Sequence, residues 1–104
     1  MQINKFSNNL LLDYYGDLLT KHQKDILNEY LNEDLSMNEI AENYSISKSA
    51  VQDLIKRSIS QMENYEKILR LIEKDKKIDV LLDDMKNENN VILNKYIKKL
   101  EKLK

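Results

Sequence analysis

The sequence predicts an all-α protein built around a helix-turn-helix unit. Apolar residues recur at three- and four-residue steps along most of the chain, which places them on one face of a helix. The 104 residues include no proline and one glycine, so few positions can interrupt a helix. Two serines, Ser36 and Ser47, stand where helix N-caps are needed. No segment alternates between apolar and polar residues as a strand would.

The composition limits the classes of protein to which the chain could belong. Charged residues make up 34% and apolar residues 41%, a balance that suits amphipathic helices. The absence of cysteine excludes disulfides and thiolate metal sites. No apolar run exceeds three residues, so neither a signal peptide nor a membrane span is predicted. We therefore expect a cytoplasmic protein that is not held in a membrane.

The charge differs between the two halves. Residues 1–60 carry six Lys or Arg against nine Asp or Glu, whereas residues 61–104 carry eleven against nine. The net charges are therefore −3 and +2. A protein that relies on non-specific DNA contact usually has a clear positive excess, so this balance disfavours such a role.

Capping signals and apolar stripes place the first two helices. A first helix is predicted over residues 3–19. Its apolar stripe is Ile3, Phe6, Leu10, Leu11, Tyr14 and Leu18. Thr20 and Gln23 then form a capping box that opens a second helix. That helix should end near residues 32–34.

The helix-turn-helix motif is predicted at about residues 36–58. Ser36 with Glu39 caps a short helix, and Ser47 caps the recognition helix. Ala41 is small enough for the two backbones to approach, and Ser45 should take a left-handed conformation in the turn. The apolar residues expected to fill the angle are Ile40, Tyr44, Ile46, Val51 and Leu54.

We predict a helix-turn-helix domain at residues 1–60 and a helical extension at 61–104 that serves for dimerisation. A heptad-spaced seam supports this division and a homodimer. The seam consists of Val51, Ile55, Met62, Tyr65, Leu69 and Ile72. Alternatively, helices near 78–85 and 93–100 fold back and cover the seam within one chain. The seam is lost around residues 74–77, where we expect a bend, and residues 86–90 should form a loop.

The recognition helix offers one candidate nucleic-acid surface. Near its start, Lys48, Ser49 and Gln52 would face base edges. Lys56 and Arg57 would reach phosphates. The alternative is a solvated helix face with ordinary charges.

No catalytic, metal or cofactor site is predicted. His22 is the only histidine, and no serine or cysteine nucleophile can be assigned to it. The sequence has no glycine-rich phosphate loop. We therefore expect neither an enzyme nor a small-molecule substrate. Of the tyrosines, Tyr14, Tyr30 and Tyr44 should pack in the core, while Tyr65 is the best interface candidate.

Several runs of the sequence resemble the YlxM family of small bacterial helix-turn-helix proteins. The runs are LLTKHQ at 18–23, DLSMNEIAENYSISKSAVQDLIKR at 34–57, MENYEKIL at 62–69 and LDYY at 12–15. The resemblance implies a helix-turn-helix like region 4 of sigma factors, with a long recognition helix and a C-terminal helical extension. Where the family's recognition helix usually has Arg, Gln, Tyr and Asn, this chain has Lys48, Ser49, Gln52 and Leu54. Losing the arginine weakens guanine recognition.

The resemblance also implies a function. Family genes usually lie beside the gene for the signal recognition particle protein. The implied role is non-enzymatic and regulatory, in co-translational protein targeting, through protein–protein contact with the particle's GTPase. The alternative function is that of a DNA-binding transcriptional regulator.

Overall fold

The computed structural model describes residues 4–104, which form two compact units. The first unit ends at Leu69 and the second runs from Arg70 to Lys104. The first contains α1 (Lys5–Tyr15), a 3₁₀ turn (Gly16–Leu18), α2 (Lys21–Leu31), α3 (Met37–Tyr44) and α4 (Lys48–Leu69). The second contains α5 (Leu71–Asn87) and α6 (Val91–Glu101). No strand occurs within residues 4–104, and the all-α prediction is confirmed.

The helix starts are fixed by the predicted caps. The Oγ1 of Thr20 accepts a hydrogen bond from the backbone N–H of Gln23 (3.2 Å), and the Gln23 side chain accepts one from the Thr20 N–H (2.9 Å). Ser36 and Glu39 make the same reciprocal pair at the start of α3. Ser47 Oγ accepts from the Ala50 N–H (3.0 Å) at the start of α4. Each pair satisfies backbone N–H groups that have no partner inside the helix.

The turn between α3 and α4 has the predicted left-handed residue. Ser45 lies at φ 55° and ψ 42°. The backbone N–H of Ile46 donates to the carbonyl of Ala41 (3.0 Å), and the N–H of Ser45 donates to the carbonyl of Glu42 (3.3 Å). These two bonds form a Schellman motif, which ends α3 and directs the chain into α4.

The core of the first unit lies along one side of α4. Helices α1, α2 and α3 each pack against α4. The fully buried side chains of this unit are Tyr15, Ile26, Leu27, Ile40, Val51, Ile55, Ser58 and Met62. Ala41 is also buried and Ile46 is half-buried, as the predicted elbow between α3 and α4 requires.

Two side-chain contacts join α4 to the helices packed on it. Gln23 donates from Nε2 to the Oγ of buried Ser58 (3.0 Å), so one residue both caps α2 and satisfies a polar group in the core. Farther along, the hydroxyl of buried Tyr15 donates to Glu66 Oε1 (2.6 Å). The last turns of α4 therefore belong to the first unit.

The first helix differs from its prediction. Its buried residues are Asn8, Leu11, Leu12 and Tyr15. Ile3 lies outside the described residues, while Phe6 is 84% exposed and Leu18 is exposed. The inward face is rotated towards Tyr15, and the chain tightens into a 3₁₀ turn at Gly16. Tyr14, expected in the core, is only half-buried.

The helix break lies at Arg70, and the bend predicted at residues 74–77 is absent, since α5 runs through them without interruption. Arg70 has φ 55° and ψ 34°, a left-handed conformation that ends the α4 hydrogen-bond ladder. The predicted division at residue 60 falls inside α4, whereas the two units meet at Leu69 and Arg70.

We predict that Ser45→Gly stabilises the first unit by about 0.5–1 kcal/mol, because glycine takes the left-handed region without the strain that a β-carbon introduces. Urea unfolding followed by circular dichroism measures the change. Ser45→Val should shift the midpoint in the opposite direction, because its branched β-carbon is least compatible with this turn. A lower midpoint for Ser45→Gly would contradict the assignment.

Candidate nucleic-acid and dimer surfaces

The five candidate nucleic-acid residues lie on the exposed side of α4. Lys48 is the first residue of that helix, and Gln52 and Lys56 follow at four-residue steps on the same face. Ser49 and Arg57 are also exposed. Lys48 borders a shallow depression formed with residues 34–38 at the start of α3. The fold thus brings the candidates together on one helix, beside the N-terminus of α3.

The positive charge of this face is small. Arg57 Nε lies 3.0 Å from Asp53 Oδ2, so the arginine is paired one turn back on its own helix. Within residues 4–104, Lys48 and Lys56 make no ion pair. Two lysines are therefore the unpaired cations of the candidate face.

The rest of the first unit is acidic. Residues 1–69 carry seven Lys or Arg against eleven Asp or Glu, a net charge of −4. Exposed carboxylates lie on α3, at Glu39 and Glu42, and just before it, at Glu33 and Asp34. This field opposes the approach of a polyanion to the two lysines.

A tyrosine with a shifted pKa lies between α2 and α3. The neighbouring Glu29 carboxylate, together with burial, raises the pKa of Tyr44 to about 12. The ring of His22 meets the Tyr44 ring edge to face, with centroids 5.4 Å apart. These contacts tie α2 to the end of α3. They leave His22 exposed, with no nucleophile assigned to it.

Half of the predicted dimer seam is part of the core of the first unit. Val51, Ile55 and Met62 are fully buried within the chain, so their side chains cannot meet a second copy. The physical reason is that α1, α2 and α3 all pack against α4, which the sequence stripe alone does not reveal. Tyr65 is half-buried and accepts a hydrogen bond from Gln61 (2.8 Å), while Leu69 is 42% exposed. Ile72, in the second unit, is buried.

The described part of the chain has neither a metal-binding cluster nor a membrane-spanning helix. Residues 4–104 contain no group of three or more His, Cys, Asp or Glu side chains placed to hold a metal ion. None of the helices in that range combines the length and apolar character needed to cross a bilayer.

Comparison with known proteins identifies the family. Residues 3–103 match the UPF0122 family of YlxM/p13-like helix-turn-helix proteins. The chain belongs to this family. The resemblance inferred from the sequence runs is thereby confirmed. Helix-turn-helix proteins of this all-α UPF0122 class are generally non-enzymatic.

Individual relatives support the same assignment. A UPF0122 protein of Clostridium perfringens is 41% identical over 107 residues, which cover 96% of each chain. A UPF0122 protein of Clostridium kluyveri is 49% identical over 70 residues, covering 67% of this chain and 63% of its own. One from Desulforamulus reducens is 48% identical over 66 residues, covering 64% and 56%.

Sequence reasoning missed two features that bear on binding. It gave Ser58 no role in the core, although its partner Gln23 was already recognised as a capping residue. It also did not predict that much of the apolar stripes of α5 and α6 would be exposed. Which parts of these two stripes are exposed depends on how α5 and α6 pack against each other, which the sequence pattern does not specify.

We predict that Met62→Ala lowers the free energy of unfolding by about 2–4 kcal/mol, because it leaves a cavity in the core. The loss should be the same at low and high protein concentration, since Met62 is buried within one chain. A loss on Met62→Ala that changes with protein concentration would instead place Met62 at a dimer seam. Leu69→Ala is the matched control, with an expected change below about 1 kcal/mol because Leu69 is already partly exposed.

We predict that Tyr44 titrates late, at about pH 12, in an ultraviolet absorbance titration. Because the pKa of Tyr44 is higher in the folded chain than its ordinary 10.0, its contribution to stability is complete below pH 10 and is lost as the pH rises to 12. Tyr44→Phe should reduce the absorbance change of the late step by one tyrosine, and Tyr96→Phe should leave that step unchanged. A titration that is complete near pH 11 in the folded wild type would refute the Tyr44 contact.

Proposed function

We propose that this protein is a non-enzymatic, cytoplasmic regulatory protein that acts through protein–protein contact. We further propose that its partner is the signal recognition particle protein, so that it takes part in protein targeting. The helix-turn-helix then serves as a scaffold and a contact surface, and no chemical step is assigned to it.

The observation that carries the proposal is the charge of the first unit. With a net charge of −4 and, within residues 4–104, two unpaired lysines on the candidate face, this unit would be repelled by DNA phosphates. A protein partner does not require a positively charged surface on this unit, because an acidic surface can recognise a basic protein.

The choice of partner rests on the resemblance to YlxM proteins. The matching runs, residues 34–57 and 62–69, cover α3, the turn and most of α4. They therefore include the face of α4 that carries Lys48 and Gln52. If the family's role in targeting extends to this chain, that face is where a partner would bind.

A DNA-binding regulator is the second candidate function. It is favoured by the exposure of Lys48, Gln52 and Lys56 on one face at the start of a recognition helix. In helix-turn-helix proteins, that part of the helix enters the major groove. The same acidic surroundings weigh against it.

We predict that the purified signal recognition particle protein binds the full chain with a Kd of about 10 μM or tighter in calorimetry. A random-sequence DNA duplex should show no saturable binding even at low salt, because the first unit repels phosphates. Lys48→Ala combined with Lys56→Ala should leave duplex titrations unchanged.

Two results would contradict this proposal. One is the absence of heat with the particle protein at every salt concentration tested. The other is duplex binding that weakens steeply with salt and is lost in the double lysine variant, which would establish the DNA-binding alternative. Ser7→Ala, an exposed change on α1, is the control for both titrations.

A further inference from the structure

The second unit leaves most of its large apolar side chains in solvent. Within residues 70–104, the buried apolar side chains are Ile72, Leu82 and Ile97. The exposed ones are Leu71, Ile78, Val80, Leu81, Val91, Ile92, Tyr96, Leu100 and Leu103. An exposed apolar patch of this kind typically marks a site of interaction.

The two helices of this unit face each other through Leu82 and Ile97. Helices α5 and α6 pack together across the turn at residues 88–90, and these two side chains are the most buried in the pair. On one side of this contact lies an ion pair between Lys86 and Glu101, at 2.8 Å. Asp79, one heptad before Lys86, pairs with Lys104. One side of the hairpin is therefore polar.

Helical spacing places a set of six apolar side chains on the other side. On α5, Ile78, Leu81 and Met85 recur at three- and four-residue steps. Around the helix axis they lie on one side of Leu82, and Asp79 and Lys86 lie on the other side. On α6, Ile92, Tyr96 and Leu100 follow the same spacing and lie opposite Glu101. We name these six residues the open face. All but the half-buried Met85 are at least 40% exposed.

Lysines continue the stripes of the open face. Lys74 precedes Ile78 by one turn, and Lys95 and Lys99 lie beside Ile92 on α6. None of the three forms an ion pair within residues 4–104; Lys99 Nζ instead lies 5.6 Å from the centre of the Tyr96 ring. Residues 70–104 carry ten Lys or Arg against seven Asp or Glu, a net charge of +3. The open face is thus apolar with a mainly basic rim, whose acidic member is Glu88, three residues after Met85.

We propose that the open face binds an amphipathic helix with acidic flanks that belongs to a protein partner. The proposal rests on the proposed function, to which it adds a second surface for protein contact besides the α4 face. Two packed helices with an apolar face present a groove into which a third helix fits by ridge-into-groove packing. Acidic flanks on that helix would pair with Lys74, Lys95 and Lys99.

Charge and shape favour this occupant over two others. A second copy, facing the first, would place one lysine rim against another, which is repulsive. The open face spans two packed helices and so forms a groove, which a third helix fills more closely than a flat lipid surface does.

The test uses fluorescence anisotropy with the full chain and labelled synthetic peptides. The first peptide is an eighteen-residue helix with leucines at a and d positions and glutamates on its flanks. The second has the same leucines with lysine flanks, and the third is a scrambled version of the first. The acidic peptide should bind at least about tenfold more tightly than either control. Equal binding of the acidic and lysine peptides, or no binding of the acidic one, overturns the proposal.

Neighbouring residues of α5 offer a matched pair of variants. Leu81 lies on the open face and is 59% exposed, whereas Val80 faces away from it and is 62% exposed. Leu81→Asp should weaken binding of the acidic peptide at least about tenfold, and Val80→Asp should leave it within about twofold. Circular dichroism of both variants checks that the helices form. Equal losses in the two variants would remove the open face from consideration.

The other two possible occupants, a second copy of the chain and a lipid surface, are tested in separate arms of the same experiment. Sedimentation equilibrium of the chain and binding to phosphatidylglycerol vesicles are each measured with and without Leu81→Asp. A dimer, or vesicle binding, that is abolished by Leu81→Asp and spared by Val80→Asp assigns the face to that occupant and overturns the helix proposal. Lys95→Gln with Lys99→Gln should reduce the preference for the acidic peptide.

This outcome is independent of the signal recognition particle protein. If that protein fails to bind but the acidic peptide binds at Leu81, the open face stands and the proposed partner falls. If the particle protein binds equally to wild type and Leu81→Asp while the peptide does not bind, the partner stands and the open face falls.

Discussion

The first unit depends on the apolar stripe of α4. Val51, Ile55 and Met62 lie fully buried along one side of this 22-residue helix, and α1, α2 and α3 each pack against it. One helix thus serves both as the recognition helix of the motif and as the centre of the core. Because the inward side is occupied, only the outward side, with Lys48 and Gln52, is available for binding.

Polar contacts fix how the surrounding helices meet α4. Gln23 caps α2 and at the same time donates to buried Ser58, so the start of α2 is held in register with the middle of α4. The Schellman turn at Ser45 sets the direction in which α4 leaves α3. A buried polar group without a partner is unfavourable, so these bonds favour a single arrangement of the helices.

The two units differ in net charge, and this difference affects which partners suit each unit. The first unit has a net charge of −4 and the second +3, although the whole chain is nearly neutral at −1. The total charge therefore conceals an acidic helix-turn-helix unit and a basic helical hairpin. Each unit is suited to a partner of a different sign, and the hairpin adds an apolar surface that the first unit lacks on its recognition face.

The sequence by itself determined the fold class, the caps at Thr20, Ser36 and Ser47, and the left-handed Ser45, because these depend on residues within one turn of each other. It also determined which residues of α4 face outward. Tertiary structure alone decided that Val51, Ile55 and Met62 are core residues rather than a dimer seam, since a heptad stripe does not state which helix covers it. It also placed the helix break at Arg70, and it decided the exposure of the open face, which depends on how α5 and α6 pack together.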